Sequence, residues 1–330
     1  MTETIKTARD LCKFYMGQNI PVLVSGPPGV GKSDMWLQIA QETNRGFIDL
    51  RLGMMDPTDL LGLPSVHEGT TRWNRPAWFP DEKRDGKQGI ILFDEIADIG
   101  RAMQSAAYQL ILNGRAGPHV LGDGWYRCAA GNRREDRAAA QAMSTALANR
   151  FAHIDIVSDV DAFIEWCNRN DIDPLIPGFI RFRPNLLHSM EGADLRAFPT
   201  PRAWARVAKC VQADASMRFR LVQGLVGEGP AGEFEVYMRG LDLPSLEDIL
   251  ADPKRCPIPK SPSSKYALSS MLARYAKRDN FGKIVTYISR PDFGRDFETV
   301  TALDATKRDS SLCDTKAWIE WANRNNDLHL

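Results

Sequence analysis

Near the start of the chain, eight consecutive residues have the composition of a loop that holds phosphate groups. The segment from Gly26 to Ser33 reads GPPGVGKS and fits the pattern G-x-x-x-x-G-K-[ST]. Its glycines let the backbone wrap closely around a phosphate and turn N–H groups inward. Lys32 can reach the β- and γ-phosphates, and the Ser33 hydroxyl can ligate Mg²⁺. We expect a solvent-facing nucleotide site made by Gly26, Pro27, Pro28, Gly29, Val30, Gly31, Lys32, Ser33 and Asp34.

Two adjacent carboxylates follow an apolar run, 62 residues after Lys32. Residues 90–93 read IILF and predict a buried strand that delivers Asp94 and Glu95 to its carboxyl end, where ligands sit in open α/β sheets. Asp94 is suited to hold Mg²⁺, and Glu95 to orient and polarise an attacking water. Alone the pattern is weak, because many strands end in acidic turns. Together with the loop it predicts a site that hydrolyses ATP.

Short apolar runs that alternate with helical segments must position these residues. We predict strands at residues 20–25, 46–50, 90–93, 126–130 and 152–157, and a helix directly after the loop. This alternation indicates an α/β fold in which a parallel five-stranded sheet lies between layers of helices. Helical periodicity takes over beyond residue 158. We therefore predict a nucleotide-binding domain at 1–158, a helical lid domain at 159–251 and a small helical C-terminal region at 252–330.

The order of these motifs resembles that of AAA+ ATPases, which implies a P-loop fold with ATP and Mg²⁺ as cofactors. In this family a polar sensor lies between the acidic strand and the γ-phosphate. The resemblance assigns that role to Asn132, which follows the predicted strand at 126–130. The alternative is an asparagine that ends a strand in an ordinary turn.

Two arginines also match positions at which the family has functional arginines. Arg150 precedes the last predicted strand and resembles the finger that reaches the γ-phosphate bound by the neighbouring subunit. A structural salt bridge is the alternative, and Arg133, Arg134 and Arg137 lie near enough to share or take the role. Arg202, in the segment PTPRAW, resembles the family's second sensor, acting in its own site or in the neighbouring one. A plain helix start is the alternative there.

Two insertions carry a closer resemblance, to the MoxR type of AAA+ protein. Residues 54–82 predict a helix, a Gly/Pro break, a polar hairpin and an aromatic helix, and residues 115–127 predict a second hairpin. In the family both insertions project toward the pore of a ring. Trp73, Trp78 and Phe79 are then either grips on a client or packed core anchors, and we favour the core interpretation.

A pair of similar segments lies in the helical half of the chain. Residues 162–171 (AFIEWCNRND) and 317–326 (AWIEWANRNN) are identical at seven of ten positions. We interpret them as two amphipathic helices that turn a Trp and an Ile inward. A duplicated docking element is the alternative.

Composition limits the classes of partner. Lys plus Arg and Asp plus Glu both number 42, so the net charge is zero, which argues against a chain-wide attraction to nucleic acid or to an anionic membrane. The six cysteines show no metal-type spacing, and no apolar run approaches the ~20 residues that span a bilayer. We expect a soluble protein of the reducing cytoplasm.

The resemblance implies an ATP-driven remodelling motor of the chaperone kind. It would act as a homo-oligomeric ring, a hexamer, on a separate protein client or on a partner with a von Willebrand A-type domain. One alternative is a nucleic-acid motor, which is supported by the basic runs Arg133-Arg134, Arg181-Phe-Arg183, Arg218-Phe-Arg220 and Lys254-Arg255. Another is a nucleotide-gated switch that rarely hydrolyses, against which Glu95 argues.

Overall fold

Contacts within the chain divide it after residue 158. The computed structural model describes residues 2–133, 143–190 and 196–326, with the exception of the Asp98 side chain. They group into two units, Met1–Ser158 and Asp159–Leu330. The first contains all the strands of the described residues, and the second is helical.

The first unit alternates strands and helices. Its strands are β1 (Thr2–Glu3), β2 (Val22–Ser25), β3 (Gly46–Arg51), β4 (Pro64–His67), β5 (Thr70–Trp73), β6 (Gly89–Asp94), β7 (Arg115–Ala116), β8 (His119–Val120), β9 (Trp125–Gly131) and β10 (Ala152–Ile156). Its helices are α1 (Ile5–Gly17), α2 (Lys32–Glu42), α3 (Pro57–Leu61), α4 (Glu82–Asp85), α5 (Arg101–Asn113) and α6 (Thr145–Ala148). Short 3-10 turns follow β3 at Leu52–Met54 and β6 at Ile96–Asp98.

Six of these strands form one parallel sheet in the order β1-β10-β2-β9-β6-β3. Strand β2 lies inside the sheet, with Val22 opposite Ala152 of β10 and Cys128 of β9. Ser25 at the end of β2 aligns with Gly131 at the end of β9. The carboxyl ends of β2, β6 and β9 therefore meet at one edge, which is where parallel α/β sheets place their ligands.

Alternation along the strands builds a core on each face of the sheet. In β6, Ile91 and Phe93 pack in one cluster with buried residues of α5, whereas Ile90 and Leu92 pack in another with buried residues of α2. All four side chains are fully buried, as expected of a strand that is covered on both faces. The predicted sandwich of helices around a parallel P-loop sheet is confirmed.

A sixth strand lies outside the prediction of five. The two residues of β1 pair in parallel with Asp155 and Ile156 of β10 at the edge of the sheet. Because Thr2 and Glu3 are polar and so few, they form no apolar run, and the sequence pattern holds no signal for this strand.

Both insertions contain a hairpin, as predicted. Strands β4 and β5 pair antiparallel around Glu68 and Gly69, which both have positive φ, at 50° and 73°. Such a two-residue turn matches the twist of the strands that flank it. The smaller pair of β7 and β8 forms the second hairpin. The expected aromatic helix is wrong, since residues 74–81 are not helical. Pro76 and Pro80 interrupt this segment by removing backbone donors.

The second unit consists of helices around two clusters of buried side chains. Its helices are α7 (Val160–Arg169), α8 (Leu175–Phe182), α9 (Pro201–Val207), α10 (Ala215–Val226), α11 (Glu228–Arg239), α12 (Leu246–Ala251), α13 (Pro262–Tyr275), α14 (Phe281–Ile288), α15 (Arg295–Arg308) and α16 (Lys316–Arg324). The first cluster centres on Phe179, which packs against Trp204 and Phe234, and the second contains Phe281 and Trp321. Within the described residues, no helix has both the length and the apolar character to cross a bilayer.

A buried ion pair joins α8 to α15 within this unit. The guanidinium of Arg181 contacts both carboxylate oxygens of Asp304, at 2.6 and 3.0 Å. Only about a tenth of each side chain is exposed, 11% and 8%. Removing one partner of such a pair would leave a buried charge uncompensated. The pair therefore holds α15, which lies in the predicted C-terminal region, against α8 of the predicted lid domain.

The two similar segments form α7 and α16 but bury different faces. In α7, Ile164 is 1% exposed and Trp166 is half-buried, whereas in α16 Trp321 is fully buried and Ile319 is 51% exposed. The prediction that both helices turn their Trp and Ile inward is therefore wrong. The neighbouring helices, and not the sequence of the segment, decide which face is covered.

Candidate active site

The loop between β2 and α2 has the backbone shape that the glycine pattern predicts. Gly29 and Gly31 have φ of 78° and 96°, in the region that glycine adopts without steric cost. Gly26 lies so close to β10 that an added Cβ would stand 2.7 Å from the carbonyl oxygen of Ile156. A side chain is thus excluded at Gly26 by packing and disfavoured at the other two positions by conformation.

Lys32 holds this loop closed from within. Its ammonium group donates hydrogen bonds to the carbonyl oxygens of Gly26 and Pro27, at 2.8 and 2.9 Å, and to Oδ1 of Asn132, at 2.9 Å. The side chain is buried, with 8% of the residue exposed, so Lys32 does not face solvent as the expectation of a solvent-facing site implied. The loop folds over the lysine because its own carbonyl oxygens accept these bonds. The structure also brings Asn132 to the loop, while its role as a sensor stays a prediction.

Ser33 and Asp94 meet at the same edge of the sheet. The Ser33 hydroxyl donates to Oδ2 of Asp94 at 2.6 Å, and the backbone N–H of Glu95 donates to Oδ1 at 2.9 Å. Mg²⁺ prefers oxygen ligands of this kind and keeps several of its own waters. The hydroxyl and the carboxylate therefore fit the ion, and together they supply two of the oxygens that it needs.

Glu95 leaves the strand in an unusual backbone conformation. Its φ of 60° and ψ of 28° place it in the left-handed region, which is strained for a residue other than glycine and occurs often at functional sites. The residue is exposed, in contrast to the buried apolar residues of β6. The carboxylate is thereby presented beside Asp94 at the carboxyl edge of the sheet.

A further charged pair at this edge was not predicted. Asp49 and Arg51 lie on β3 next to β6, with Arg51 opposite Asp94, and the Arg51 guanidinium lies 3.4 Å from the Asp49 carboxylate. Burial and the nearby charge of Asp94 raise the pKa of Asp49, although Arg51 acts against the shift. The signal in the sequence was the alternation of polar and apolar residues in IDLR at the end of a predicted strand.

Arg150 lies away from the loop of its own chain. It is exposed after α6, and its guanidinium lies 3.5 Å from the Tyr108 hydroxyl. It lines an open cleft of about 690 Å³ together with residues such as Asn149 and His153. Its contacts in the described residues do not include the phosphate-binding loop. Of the alternative arginines, Arg133 follows Asn132, while Arg134 and Arg137 lie outside the described residues.

Arg202 belongs to the second unit. It lies in the first turn of α9, where Thr200 caps the helix by accepting a hydrogen bond from the backbone of Ala203. Its side chain is exposed. The predicted helix start is present, and a role for Arg202 as a sensor stays a prediction.

The three aromatic residues of the first insertion lie in different surroundings. Phe79 is buried and Trp78 packs partly against the same core, with its indole N–H donating to the carbonyl oxygen of Asp59 at 3.1 Å. The core interpretation holds for these two. Trp73, at the end of β5, is 42% exposed, and for this residue the core interpretation is wrong.

Comparison with known proteins gives one family and distant structural likenesses. Residues 22–154 match the family described as "ATPase family associated with various cellular activities (AAA)". Similar solved chains include the RuvB Holliday junction branch migration motor of Thermotoga maritima, with 18% identity over 75% of this chain and 74% of that chain and a TM-score of 0.38. NtrX from Brucella abortus in complex with ADP is 14% identical over 98% and 68%, with a TM-score of 0.36. No curated protein sequence matches. Likenesses this distant carry no argument about function.

Proposed function

We propose that this chain, an ATPase whose residues 22–154 match the AAA family, is a MoxR-like motor that remodels a partner protein as a closed ring of copies. The observation that carries the ATPase activity in this proposal is the convergence of Lys32, Ser33, Asp94 and Asn132 at one edge of the sheet. These two charged and two polar residues come from the ends of β2, β6 and β9 and lie beside Glu95. Such a cluster positions a triphosphate and a water, which is most of what phosphoryl transfer requires.

Each residue of the cluster has a distinct task in the proposal. Lys32 exchanges its bonds to loop carbonyl oxygens for bonds to the phosphates of ATP, and Asn132 holds the far side of the γ-phosphate. Glu95 orients the attacking water and draws charge from it. Ser33 and Asp94 would hold Mg²⁺, which when bound neutralises charge that develops on the phosphate oxygens.

The proposal of a ring rests on Arg150. An exposed arginine that does not contact its own loop is suited to serve the loop of another copy. A head-to-tail interface that places Arg150 of one copy beside Lys32 of the next would close into a ring. Following the family resemblance, we propose six copies.

Exposed apolar side chains on the first hairpin support a protein partner. Pairing of β4 with β5 sets Pro64 opposite Trp73 and Val66 opposite Thr71, and paired residues share a face of the hairpin. Val66 is 80% exposed, and Leu63, which directly precedes β4, is 60% exposed. Exposed apolar groups on a hairpin favour a contact with protein over a contact with a phosphate backbone. We propose a separate client, or a partner with a von Willebrand A-type domain.

A nucleic-acid motor remains the alternative, but three arginines of the basic runs that favour it form ion pairs within the chain. Arg181 is paired with Asp304 and Arg218 with Glu235, both buried, and Arg183 lies 2.8 Å from Glu233. Arginines held in this way do not present a row of charges to a phosphate backbone. Salt-dependent DNA binding, or stimulation of the ATPase by DNA, would favour the alternative.

A Glu95→Gln variant tests the proposal. The amide keeps the shape of the side chain but loses the carboxylate, so we expect ATP binding as in the wild type and turnover slower by roughly 10²–10⁴-fold. The stalled assembly should retain a partner protein in ATP, and Lys32→Ala, which should not bind ATP, is the control. Turnover within a few-fold of the wild type would reject Glu95 as the water-orienting residue. ATP-dependent retention of DNA without protein would favour the nucleic-acid motor.

A further inference from the structure

The 3-10 turn after β3 contains a glycine whose surroundings point to the carboxylate of Glu95. Gly53 lies between Leu52, which is buried, and Met54, which is 78% exposed. Arg51 is the register partner of Asp94 in the parallel pairing of β3 with β6. Gly53, two residues after Arg51, therefore follows β3 at the edge where Glu95 follows β6. The turn is therefore in a position to limit where that side chain can lie.

Backbone conformation does not explain a glycine at this position. Gly53 is not among the residues with positive φ, which include Gly62 and Gly69, and an alanine can adopt its 3-10 conformation. The space around it gives the explanation. In the described chain, one atom outside its immediate neighbours lies within 4 Å of a Cβ built on Gly53, and this atom is Oε2 of Glu95, at 2.9 Å.

We propose that Gly53 is a positioning residue for Glu95, and that its missing side chain leaves the space in which the carboxylate lies. The proposal rests on the role of Glu95 in the function proposed above. Ordinary contacts of a Cβ begin at 3.4 Å, so an alanine would displace Oε2 by about half an ångström. The end of a glutamate side chain moves easily, and the fold therefore tolerates the change. The geometry of the reaction does not, because misplacement of a reacting group by about 1 Å can cost 10²-fold in rate.

Gly53→Ala is the direct test, with Gly17→Ala as the matched control. Gly17 ends α1 in the same unit, and a Cβ built on it meets nothing within 4 Å. For Gly53→Ala we expect kcat to fall about 10- to 100-fold, with the KM for ATP within about twofold of the wild type and an unchanged melting temperature. Gly53→Ser, which carries the same Cβ, should show the same loss. The control should keep wild-type kcat. A kcat of Gly53→Ala within twofold of the wild type would overturn the proposal.

A double-mutant cycle shows whether Gly53 acts through Glu95. Single-turnover rates are compared for Glu95→Gln alone and for the double variant with Gly53→Ala. If the two residues act through one carboxylate, the rates should agree within about twofold. If the alanine slows the Glu95→Gln variant as much as it slows the wild type, Gly53 acts independently and the proposal fails. Wild-type turnover by Glu95→Gln alone would overturn both this proposal and the hydrolytic role of Glu95. A slow Glu95→Gln together with a fully active Gly53→Ala overturns only the role of Gly53.

Discussion

At the scale of single residues, Lys32 links the phosphate-binding loop to Asn132, the residue predicted to be the sensor. Hydrogen bonds from its ammonium group join the loop after β2 to Asn132 after β9. A charged group this buried needs such partners, because an unpaired ammonium would bear the cost of lost hydration. In the proposed function, phosphate oxygens of ATP would take the place of the loop carbonyl oxygens, so the ammonium group would have acceptors both with and without nucleotide.

Lys32→Ala should abolish nucleotide binding and also weaken the fold. Three acceptors lose their donor, and we expect the free energy of unfolding to fall by about 1–3 kcal/mol. Lys13→Ala is the control, because the Lys13 ammonium pairs with Glu42 at the surface and its loss should cost less than about 1 kcal/mol. Fluorescent ATP-analogue binding and denaturant unfolding measure the two effects. Binding at wild-type affinity by folded Lys32→Ala would refute the assignment of the loop.

The positions of Lys32, Ser33 and Asp94 in the fold could be predicted from the sequence, and the reason is topological. A strand, a glycine-rich loop and a helix in this order bring Lys32 and Ser33 to the carboxyl edge of a parallel sheet, where Asp94 must also lie. The burial of Lys32 could not be predicted from the sequence, because it depends on carbonyl oxygens that the loop turns toward the ammonium group. The contact of Gly53 with Glu95 depends on the left-handed backbone of Glu95, for which the sequence gives no signal.

At the scale of elements, the first insertion combines a core anchor with an exposed hairpin. Phe79 packs with Trp78 and His119, at ring-centroid distances of 5.4 and 5.8 Å. The hairpin of β4 and β5 carries Trp73 at its end, where much of the indole faces solvent. One segment thus holds the insertion to the sheet domain while the other remains available for contacts.

Two alanine substitutions in this insertion should therefore differ in their effect. Phe79→Ala removes a buried ring and should lower the free energy of unfolding by about 3–5 kcal/mol. Trp73→Ala removes an exposed one and should cost less than about 1 kcal/mol, with unchanged ATPase activity. Denaturant unfolding followed by circular dichroism measures both. Equal losses for the two variants would contradict the division between anchor and exposed side chain.

The strand with a strong apolar pattern was predicted well, whereas the buried faces of two helices, which depend on the neighbouring helices, were not. The run IILF gave β6 within one residue, because a strand buried on both faces needs a continuous apolar sequence. The similar segments in α7 and α16 gave the helices but not their buried faces, since Ile164 is covered and Ile319 is not. Tertiary packing decides such cases, and a single segment does not encode it.

At the scale of the whole molecule, the two predicted functional arginines belong to different units. Arg202 is in the second unit, and Arg150 contacts Tyr108 on the surface of the first. The sequence suggests a role for such arginines only through the motif around them. That motif does not show which nucleotide site the arginine contacts, in its own copy or in another. In the proposed ring, each site is completed by an arginine from another copy.

Mixing two inactive variants tests this account most directly. Arg150→Ala should bind ATP and assemble but lose activity by ~10³–10⁵-fold, the usual worth of an arginine finger. Lys32→Ala cannot use its own site but still carries Arg150. Adding Lys32→Ala to an excess of Arg150→Ala should therefore restore part of the ATPase activity, because intact loops would then face an intact arginine. Absence of any restored activity, in rings shown by native mass spectrometry to contain both variants, would contradict the account, and so would full activity of Arg150→Ala alone.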